Sequence, residues 1–433
     1  RKGLKNPFST CGRDVRSVAR RCQGRRARGL HSLPETVKIA RKIEFLRERR
    51  CATHAGGVEQ VDRAAEQRLV ELFCTLASIP SPTGSESACG ETVVAYLSEL
   101  GLDVRRDGAA VRVGGDCDNL YCHIPATTIG RALFFCAHLD TVPATDTLRP
   151  VVCEGVIRNA TPSIVGADNK AALAVMLEAI RSIVLEETPH AGIELVFTVG
   201  EEQGLVGSSA FDCSIIRARN GFVFDHPGAI GGHVAAAPSR FIVRASMRGR
   251  AAHSGISPEA GINAIVPLAR AIASFPESSR TVTVNVVLVH GGSALNVVPD
   301  GAQTTIDVRA LEHDEAGAVA ARVEQLLRDA AKAGGCAVEI DIAHPYSAYR
   351  VADDSASLAL ARAVFSRLGL PPRAWETRGG SDANVFCKRG LDCLNLTHAV
   401  ESFHAPDERV AVSDLVLMRT VMLSIVDEAC SPS

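Results

Sequence analysis

Five short segments between His138 and His404 carry acids and imidazoles of the kind that build metal centres. They read F-C-A-H-L-D-T, G-A-D-N-K-A, V-G-E-E-Q-G-L, F-V-F-D-H and S-F-H-A-P. Apolar, strand-like runs lead into these segments, and a strand would deliver the polar residues to the edge of a sheet. Together the segments supply two histidines and several carboxylates, a set that suits two divalent metal ions and hydrolysis by a shared water.

The first two segments predict one metal-bound imidazole and one bridging carboxylate. His138 and Asp140 are two residues apart, so an extended backbone points both to the same side. Asp140 could then hold one ring nitrogen and leave the other for a metal; the alternative is a surface His–Asp pair. Asp168 stands between a glycine turn and an Ala-rich helix. It is either an ordinary helix N-cap or a carboxylate that gives one oxygen to each metal.

The remaining segments complete the predicted centre. Glu201 and Glu202 are adjacent acids at the end of a buried strand, where they repel unless a cation or a shared proton joins them. One could bind a metal while the other acts as general base on the water; the alternative is a solvated acidic turn. Asp225 adds an oxygen ligand and His404 a second imidazole. Mixed nitrogen and oxygen ligands without a thiolate predict two Zn²⁺ per subunit, with Co²⁺ or Mn²⁺ as substitutes.

Strand and helix patterns predict an α/β protein that positions these residues. Alternating strands and helices over residues 58–236 indicate a mainly parallel sheet with helices on both faces, including a strand at Val111–Val113. Residues 237–345 follow a β-α-β-β-α-β order, typical of a ferredoxin-like α+β domain. The α/β pattern returns over 346–433. The sequence therefore predicts one α/β domain, 58–236 and 346–433, interrupted by an inserted second domain.

Charge is distributed unevenly along the 433 residues. Residues 1–50 hold 16 Lys or Arg against 4 Asp or Glu, whereas the rest holds 31 against 45. The acidic body argues against nucleic acid as a substrate. We expect residues 1–57 to be a basic, disordered extension: a cleaved targeting peptide, an RNA-binding arm or, as we favour, upstream sequence translated from a wrongly chosen start. No uncharged run suits a membrane span, and none of the 14 cysteines forms a C-x-x-C pair, so a cytoplasmic protein is expected.

The chain resembles a known family over about residues 58–429. The motifs that carry the resemblance are S-I-P-S-P-T-G-S-E, A-H-L-D-T-V, G-A-D-N-K-A-A, E-E-Q-G-L-V-G, A-A-H-S-G, G-G-S-D-A-N and H-A-P-D-E. In combination they resemble the aminoacylase/carboxypeptidase family of co-catalytic dizinc hydrolases, and most closely its peptidase T-like branch of tripeptide aminopeptidase relatives.

The resemblance implies a role for each matched residue. One metal would be bound by His138, Asp168 and Asp225, and the other by Glu202, Asp168 and His404. Asp140 would orient the ligands and Glu201 would be the general base. Substrate would contact Asn296, Arg309, Gly379 and Gly380; Arg350 is a further candidate for a substrate carboxylate, the alternative being an ordinary surface arginine. His253 would complete the active site of a partner subunit, which implies a homodimer in which the inserted domain is the lid and dimerisation domain. Two departures from the family pattern bear on specificity: His226 follows Asp225, and His398-Ala399 stand where relatives often place a glycine upstream of His404.

Three functions follow as hypotheses. The first is hydrolysis of amide bonds in small peptides by an exopeptidase, with a metal-bridging water as nucleophile. The second is an N-acyl-amino-acid deacylase with the same chemistry. The third is a catalytically silent protein that binds metal or peptide, against which the intact Glu201 argues.

Overall fold

The computed structural model describes residues 55–430, with residues 55–62 described for the backbone alone. The predicted basic extension lies outside the described residues, apart from its last three, which begin the first helix. The helices are α1 (Ala55–Ala77), α2 (Ser87–Glu99), α3 (Ala109–Val113), α4 (Ala167–Leu185), α5 (Val206–Ala210), α6 (Ile265–Ala273), α7 (His313–Gly334), α8 (Ala356–Leu368), α9 (Asp382–Lys388) and α10 (Val412–Glu428). The strands are β1 (Val104–Arg106), β2 (Leu120–Ile124), β3 (Leu133–His138), β4 (Pro150–Cys153), β5 (Val156–Asn159), β6 (Ile193–Thr198), β7 (Asn220–His226), β8 (Gly232–Ala237), β9 (Ser239–Arg248), β10 (Val282–Gly291), β11 (Gly301–Ala310), β12 (Ala337–Tyr346), β13 (Tyr349–Arg350), β14 (Arg373–Glu376), β15 (Asp392–Thr397) and β16 (Arg409–Ala411).

The large sheet has nine strands in the order β1-β2-β6-β3-β7-β15-β8-β13, with β14 also paired to β8. Its centre, β6-β3-β7-β15, is parallel, and the strands outside it add mostly antiparallel pairs. Strand β3 is buried on both faces because helices cover both. Phe134 packs edge-on against Phe386 of α9, whereas its neighbour Phe135 points the other way and stacks on Phe222. The predicted α/β class is confirmed.

The inserted sheet is smaller and entirely antiparallel, with strand order β10-β11-β9-β12. Helices α6 and α7 pack on it and on each other. Their apolar stripes bury Leu268, Val323 and Leu327 against Val243 and Ile306 of the sheet. Alternation along β9 leaves the opposite face more exposed, as expected of a sheet covered on one side. This is the predicted ferredoxin-like order.

The prediction of a strand at Val111–Val113 was wrong. These residues lie in the short helix α3, which is flanked by two glycines in the left-handed region, Gly108 and Gly114. The carboxylates of Asp107 and Asp118 accept hydrogen bonds from backbone N–H groups at the start of this helix. Local capping thus outweighed the strand preference of valine. Among the described residues, no helix has the length and apolar character that a membrane crossing requires.

Candidate two-metal active site

The predicted ligands meet at the carboxyl edge of the parallel strands. His138 is the last residue of β3, Asp225 lies near the end of β7, and Glu201 and Glu202 follow β6. Because β6, β3 and β7 are adjacent and parallel, their ends deliver these side chains to one place. Asp168 joins them from the start of α4.

Asp168 lies between the two predicted metal-binding imidazoles. Its Oδ1 is 3.2 Å from Nε2 of His138, and its Oδ2 is 3.3 Å from Nε2 of His404. Nε2 of His404 also lies 2.8 Å from Oε1 of Glu202, and Nε2 of His138 lies 3.5 Å from Oδ1 of Asp225. One carboxylate that offers a different oxygen to each side is the arrangement a bridging ligand needs.

Asp140 fixes the backbone that carries both glutamates. Its two carboxylate oxygens accept hydrogen bonds from the N–H groups of Glu201 (3.0 Å) and Glu202 (3.2 Å), and from the hydroxyl of Thr83 at 2.6 Å. The sequence predicted that the Asp140 carboxylate holds His138. The structure instead places the backbone carbonyl of Asp140 closer to Nδ1, at 2.9 Å, with the carboxylate at 3.3 Å. Nε2 of the imidazole therefore faces the centre.

Glu408 supports Asp168 in a way that sequence reasoning missed. Its buried carboxylate accepts hydrogen bonds from the N–H groups of Val165 (2.8 Å), Gly166 (2.6 Å) and Asp168 (3.2 Å). The turn that presents the bridging carboxylate is thus held by a residue that follows His404 by only four positions. The quoted H-A-P-D-E motif contained this acid, but nothing in the sequence gave its partner.

The buried acids of the cluster favour the binding of cations. Burial raises the pKa of Glu201 well above its usual range, and the charge of Asp225 adds to the effect. Burial likewise raises the pKa of Asp225 to about 8. Burial opposes ionisation of Asp168 too, but hydrogen bonds from His138 and His404 outweigh it and hold its pKa well below the usual range. Acids packed so closely are stabilised when divalent ions neutralise them.

The donor geometry fits metal ions. Within the described part of the chain, three groups of potential ligands have their donor atoms within 4.8 Å of one another. The groups are His138, Glu201 and Asp225; His138, Asp168 and Glu202; and Asp168, Asp225 and His398. Overlap between the groups is what two neighbouring ions require. Sequence reasoning had noted His398 only as a departure from the family; it is buried, with Nε2 4.0 Å from Asp168.

A cavity of about 460 Å³ opens over this cluster and is walled on the opposite side by the inserted sheet. Arg309, Gly379 and Gly380 line it as predicted. Arg240, which sequence reasoning missed, lines it as well. Asp307 lies between the two arginines, accepting hydrogen bonds from Arg240 at 2.8 Å and from Arg309 at 3.0 Å. Two guanidinium groups against one carboxylate leave a positive wall facing the acids.

His138 and Asp140 lie behind the residues that line the cavity, and three predicted residues outside the metal cluster, Arg350, His253 and Asn296, do not line it either. The exposed side chain of Arg350 forms an ion pair with Glu376 at 2.9 Å. Its guanidinium is therefore directed at Glu376 and not into the cavity. His253 and Asn296 are exposed and lie side by side on the inserted domain, where the N–H of Ser254 donates to the carbonyl of Asn296. Nδ1 of His253 accepts from two backbone N–H groups, which orients the ring outward with Nε2 as a donor.

The two departures from the family pattern have structural counterparts. His226 lines the cavity, and its ring centroid lies 5.7 Å from that of Trp375. The imidazole therefore takes up space on this side of the cavity. Ala399 has φ of +58°, a left-handed conformation that favours glycine. Alanine at this position therefore carries backbone strain beside His398.

Comparison with known proteins gives independent information about the chain. Residues 225–335 match the family model of the peptidase dimerisation domain, and residues 119–223 match that of peptidase family M28. The uncharacterized protein YqjE of Bacillus subtilis is 33% identical over 366 residues, which cover 84% of this chain and 99% of that protein.

Two solved structures extend the comparison. The aminopeptidase PepT from Bacillus cereus is 32% identical, with a TM-score of 0.76, and the match covers 84% of this chain and 99% of that one. A tripeptidase from Staphylococcus aureus is 30% identical, with a TM-score of 0.79, over 84% of this chain and 98% of that one.

Proposed function

We propose, since the chain belongs to the peptidase T-like branch of the two-metal aminoacylase/carboxypeptidase family, that it hydrolyses amide bonds in small peptides as an exopeptidase. Membership makes it a dinuclear metal-dependent hydrolase, a metallopeptidase. The observation that carries the proposal is Asp168, which presents one oxygen to each of two histidines at the floor of a cavity. A cavity of about 460 Å³ is of the size that takes a small molecule.

The metals we propose are two Zn²⁺ per subunit. His138, Asp168 and Asp225 would hold one, and Glu202, Asp168 and His404 the other. Imidazole and carboxylate ligands without thiolates suit Zn²⁺, and Co²⁺ or Mn²⁺ can substitute. When bound, such a pair polarises the scissile carbonyl and lowers the pKa of a water.

Glu201 has the position and environment of a general base. It lines the cavity beside the proposed ligands, and burial raises its pKa, which suits a group that both takes and returns a proton near neutral pH. Its carboxylate would accept the proton of the attacking water and pass it to the nitrogen of the leaving amine. Asp140 holds the Glu201 backbone in place for this transfer.

The wall opposite the metals favours a substrate with a carboxylate. Arg309 and Arg240 project from the inserted sheet into the cavity and share one counter-ion, Asp307. A guanidinium fork binds a carboxylate with good geometry, so the free carboxyl end of a short peptide fits here. Gly379 lines one side of the cavity without a side chain, which leaves room there for the peptide backbone.

A homodimer would complete the site. The chain matches the peptidase dimerisation domain over residues 225–335. Strand β10 is at the edge of the inserted sheet and exposes Val287, Leu288 and Val289 by about half, an edge suited to pairing with a second copy. His253 would then donate from Nε2 to the developing oxyanion in the partner's cavity, with Asn296 beside it.

The function is tested with Zn²⁺-loaded protein and a matched set of substrates. The set contains a free tripeptide, the same tripeptide N-acetylated or C-amidated, the dipeptide, and N-acyl amino acids. We expect turnover of the free tripeptide, and at least about tenfold loss of kcat/KM on C-amidation because the arginines lose their partner. Cleavage of N-acyl amino acids alone would establish a deacylase instead. Binding without turnover of any member would establish the silent binding protein.

A further inference from the structure

Two chain crossings connect the inserted sheet to the large sheet. Residues 237–239 lead from β8 into β9, and residues 346–349 lead from β12 into β13. The crossings lie side by side: Tyr349 pairs with Ala237, and the N–H of Ala348 donates to the hydroxyl of Ser239 at 2.6 Å. Any rotation of the inserted sheet relative to the metal ligands must be absorbed by these few residues.

The side chain of Asn384 joins both crossings. Its Nδ2 donates to the carbonyl of Pro238 (3.1 Å) in the first crossing and to that of Ser347 (2.9 Å) in the second. Its Oδ1 accepts from the N–H of Ser381 at 3.1 Å. Asn384 is fully buried, so every polar atom of the amide is used where an unpaired one would be costly.

The loop before α9, residues 379–381, reaches the proposed metal site by further hydrogen bonds. The hydroxyl of Ser381 accepts from Nδ2 of Asn395 at 3.0 Å, and Oδ1 of Asn395 accepts from the N–H of Asp225 at 3.0 Å. An unbroken series of hydrogen bonds, buried except for the partly buried last one, thus runs from the crossings, through Asn384, Ser381 and Asn395, to the backbone of a proposed metal ligand.

Van der Waals contact connects the loop and the second crossing as well. A Cβ at Gly380 would lie 2.4 Å from the ring of Tyr346, so the loop backbone packs directly on the last residue of β12. Tyr346 lines the cavity together with Arg240 and Arg309. The orientation that Asn384 holds is therefore the one in which the inserted sheet faces the acids.

We propose that Asn384 is a positioning residue that ties the orientation of the inserted sheet to the backbone of Asp225. This inference rests on the proposed function for its consequence in catalysis, although the coupling itself can be measured without turnover. The amide is suited to the task because it offers two donors and one acceptor in a fixed plane. A carboxylate of the same shape would set lone pairs against two carbonyl oxygens.

The experiment compares Asn384→Asp with a matched control, Asn263→Asp. Asn263 lies in the inserted domain, and its Oδ1 accepts from the N–H groups of Ile265 and Val266 at the start of α6, which a carboxylate does equally well. Hydrogen exchange at 237–239 and 346–349 is expected to speed up by at least about tenfold in Asn384→Asp and to change less than about twofold in the control.

Zn²⁺ affinity, measured by calorimetry, tests the second half of the series. Asn384→Asp is expected to weaken binding about tenfold. Ser381→Ala removes the hydroxyl that links Asn384 to Asn395, so in this background the effect of Asn384→Asp on affinity should disappear while its effect on hydrogen exchange remains. Asn384→Ser, which is shorter and offers a single donor, should act in the same direction and replaces Asn384→Asp if that variant does not fold.

Unchanged hydrogen exchange in Asn384→Asp would show that Asn384 does not hold the two crossings. Equal losses of Zn²⁺ affinity in the wild-type and Ser381→Ala backgrounds would overturn the coupling to Asp225. Neither readout needs a substrate. A wild-type protein that cleaves no peptide yet shows these shifts would refute the proposed function and keep this inference. If peptides are cleaved, Asn384→Asp should raise KM at least about tenfold, because the arginines no longer face the metals.

Discussion

The predicted functional residues are buried or partly buried at the carboxyl edge of the large sheet and exposed in the loops of the inserted domain. At the sheet edge, Asp168, His138 and Asp140 are buried, and each is held by several hydrogen bonds. In the loops of the inserted domain, His253 and Asn296 are exposed and do not line the cavity. The first region brings the proposed ligands together within one chain. The second region presents an oriented imidazole that, in the function we propose, serves another chain.

The difference in burial matches the different demands of the two proposed roles. Metal ligands must be fixed within tenths of an ångström, which burial and hydrogen bonding provide. An oxyanion donor that arrives from a second subunit must be exposed in its own chain. His253 satisfies both needs, since two backbone N–H groups hold Nδ1 while the ring stays accessible.

The largest effect is expected at the sheet edge, from Glu201→Gln. The amide keeps the shape of the side chain but cannot accept the proton, so kcat should fall by at least about 100-fold. Zn²⁺ content, measured by atomic absorption, should stay at two per subunit. Substantial activity in a metal-replete variant would show that another group is the base. Lost metal would show that Glu201 is a ligand, as its proximity to His138 and Asp225 allows.

The second prediction joins the two regions. His253→Ala alone should be nearly inactive, as should Glu201→Gln. After subunit exchange, half of the dimers are mixed and each holds one intact site, so about a quarter of wild-type activity should return. The measurement is activity against time of mixing, with dimer exchange followed by labelled subunits. Exchange without recovery would place the action of His253 in its own chain, or nowhere.

The third prediction concerns the support of the bridging ligand. Glu408→Gln keeps one acceptor oxygen but loses the other and the negative charge that hold three N–H groups around Asp168. Zn²⁺ affinity should fall about 10- to 100-fold, as for other residues that orient metal ligands. Calorimetric titration measures it directly. Affinity within about twofold of the wild type would show that the turn before Asp168 holds its shape without Glu408.

The smallest effects are changes in KM, and they distinguish an arginine that lines the cavity from one that does not. Arg240→Ala removes half of the positive wall and should raise KM for a free tripeptide about tenfold. Arg350→Ala breaks only exposed ion pairs, one with Glu376 and one with Glu312, and should change KM less than about twofold. Binding can be followed without turnover, because the only tryptophan, Trp375, packs against His226 in the cavity wall. A rise in KM of about tenfold in Arg350→Ala would show that Arg350 contacts the substrate after all.

The sequence by itself determined the fold class and the kind of chemistry. Strand and helix periodicities predicted the order of nearly every central element, because each depends on neighbours within a few residues. The predicted ligands lie together at one sheet edge; each segment alone has an ordinary alternative, and the prediction depended on five segments that jointly supply two imidazoles and several carboxylates. Short elements were predicted less well: α3 was taken for a strand, and β2 was not predicted.

Only the tertiary structure decided which further residues serve the site. Glu408 contacts the turn at Val165 across 243 positions, and Asn384 contacts Pro238 across 146. Arg240 and Arg350 look alike in the sequence, yet one faces the cavity and the other an exposed acid. Such contacts arise where distant segments are packed together, and no local pattern records them. Residue types therefore indicate the chemistry of a site. Which residues hold the ligands in place depends on the backbone groups that the fold brings within hydrogen-bonding distance.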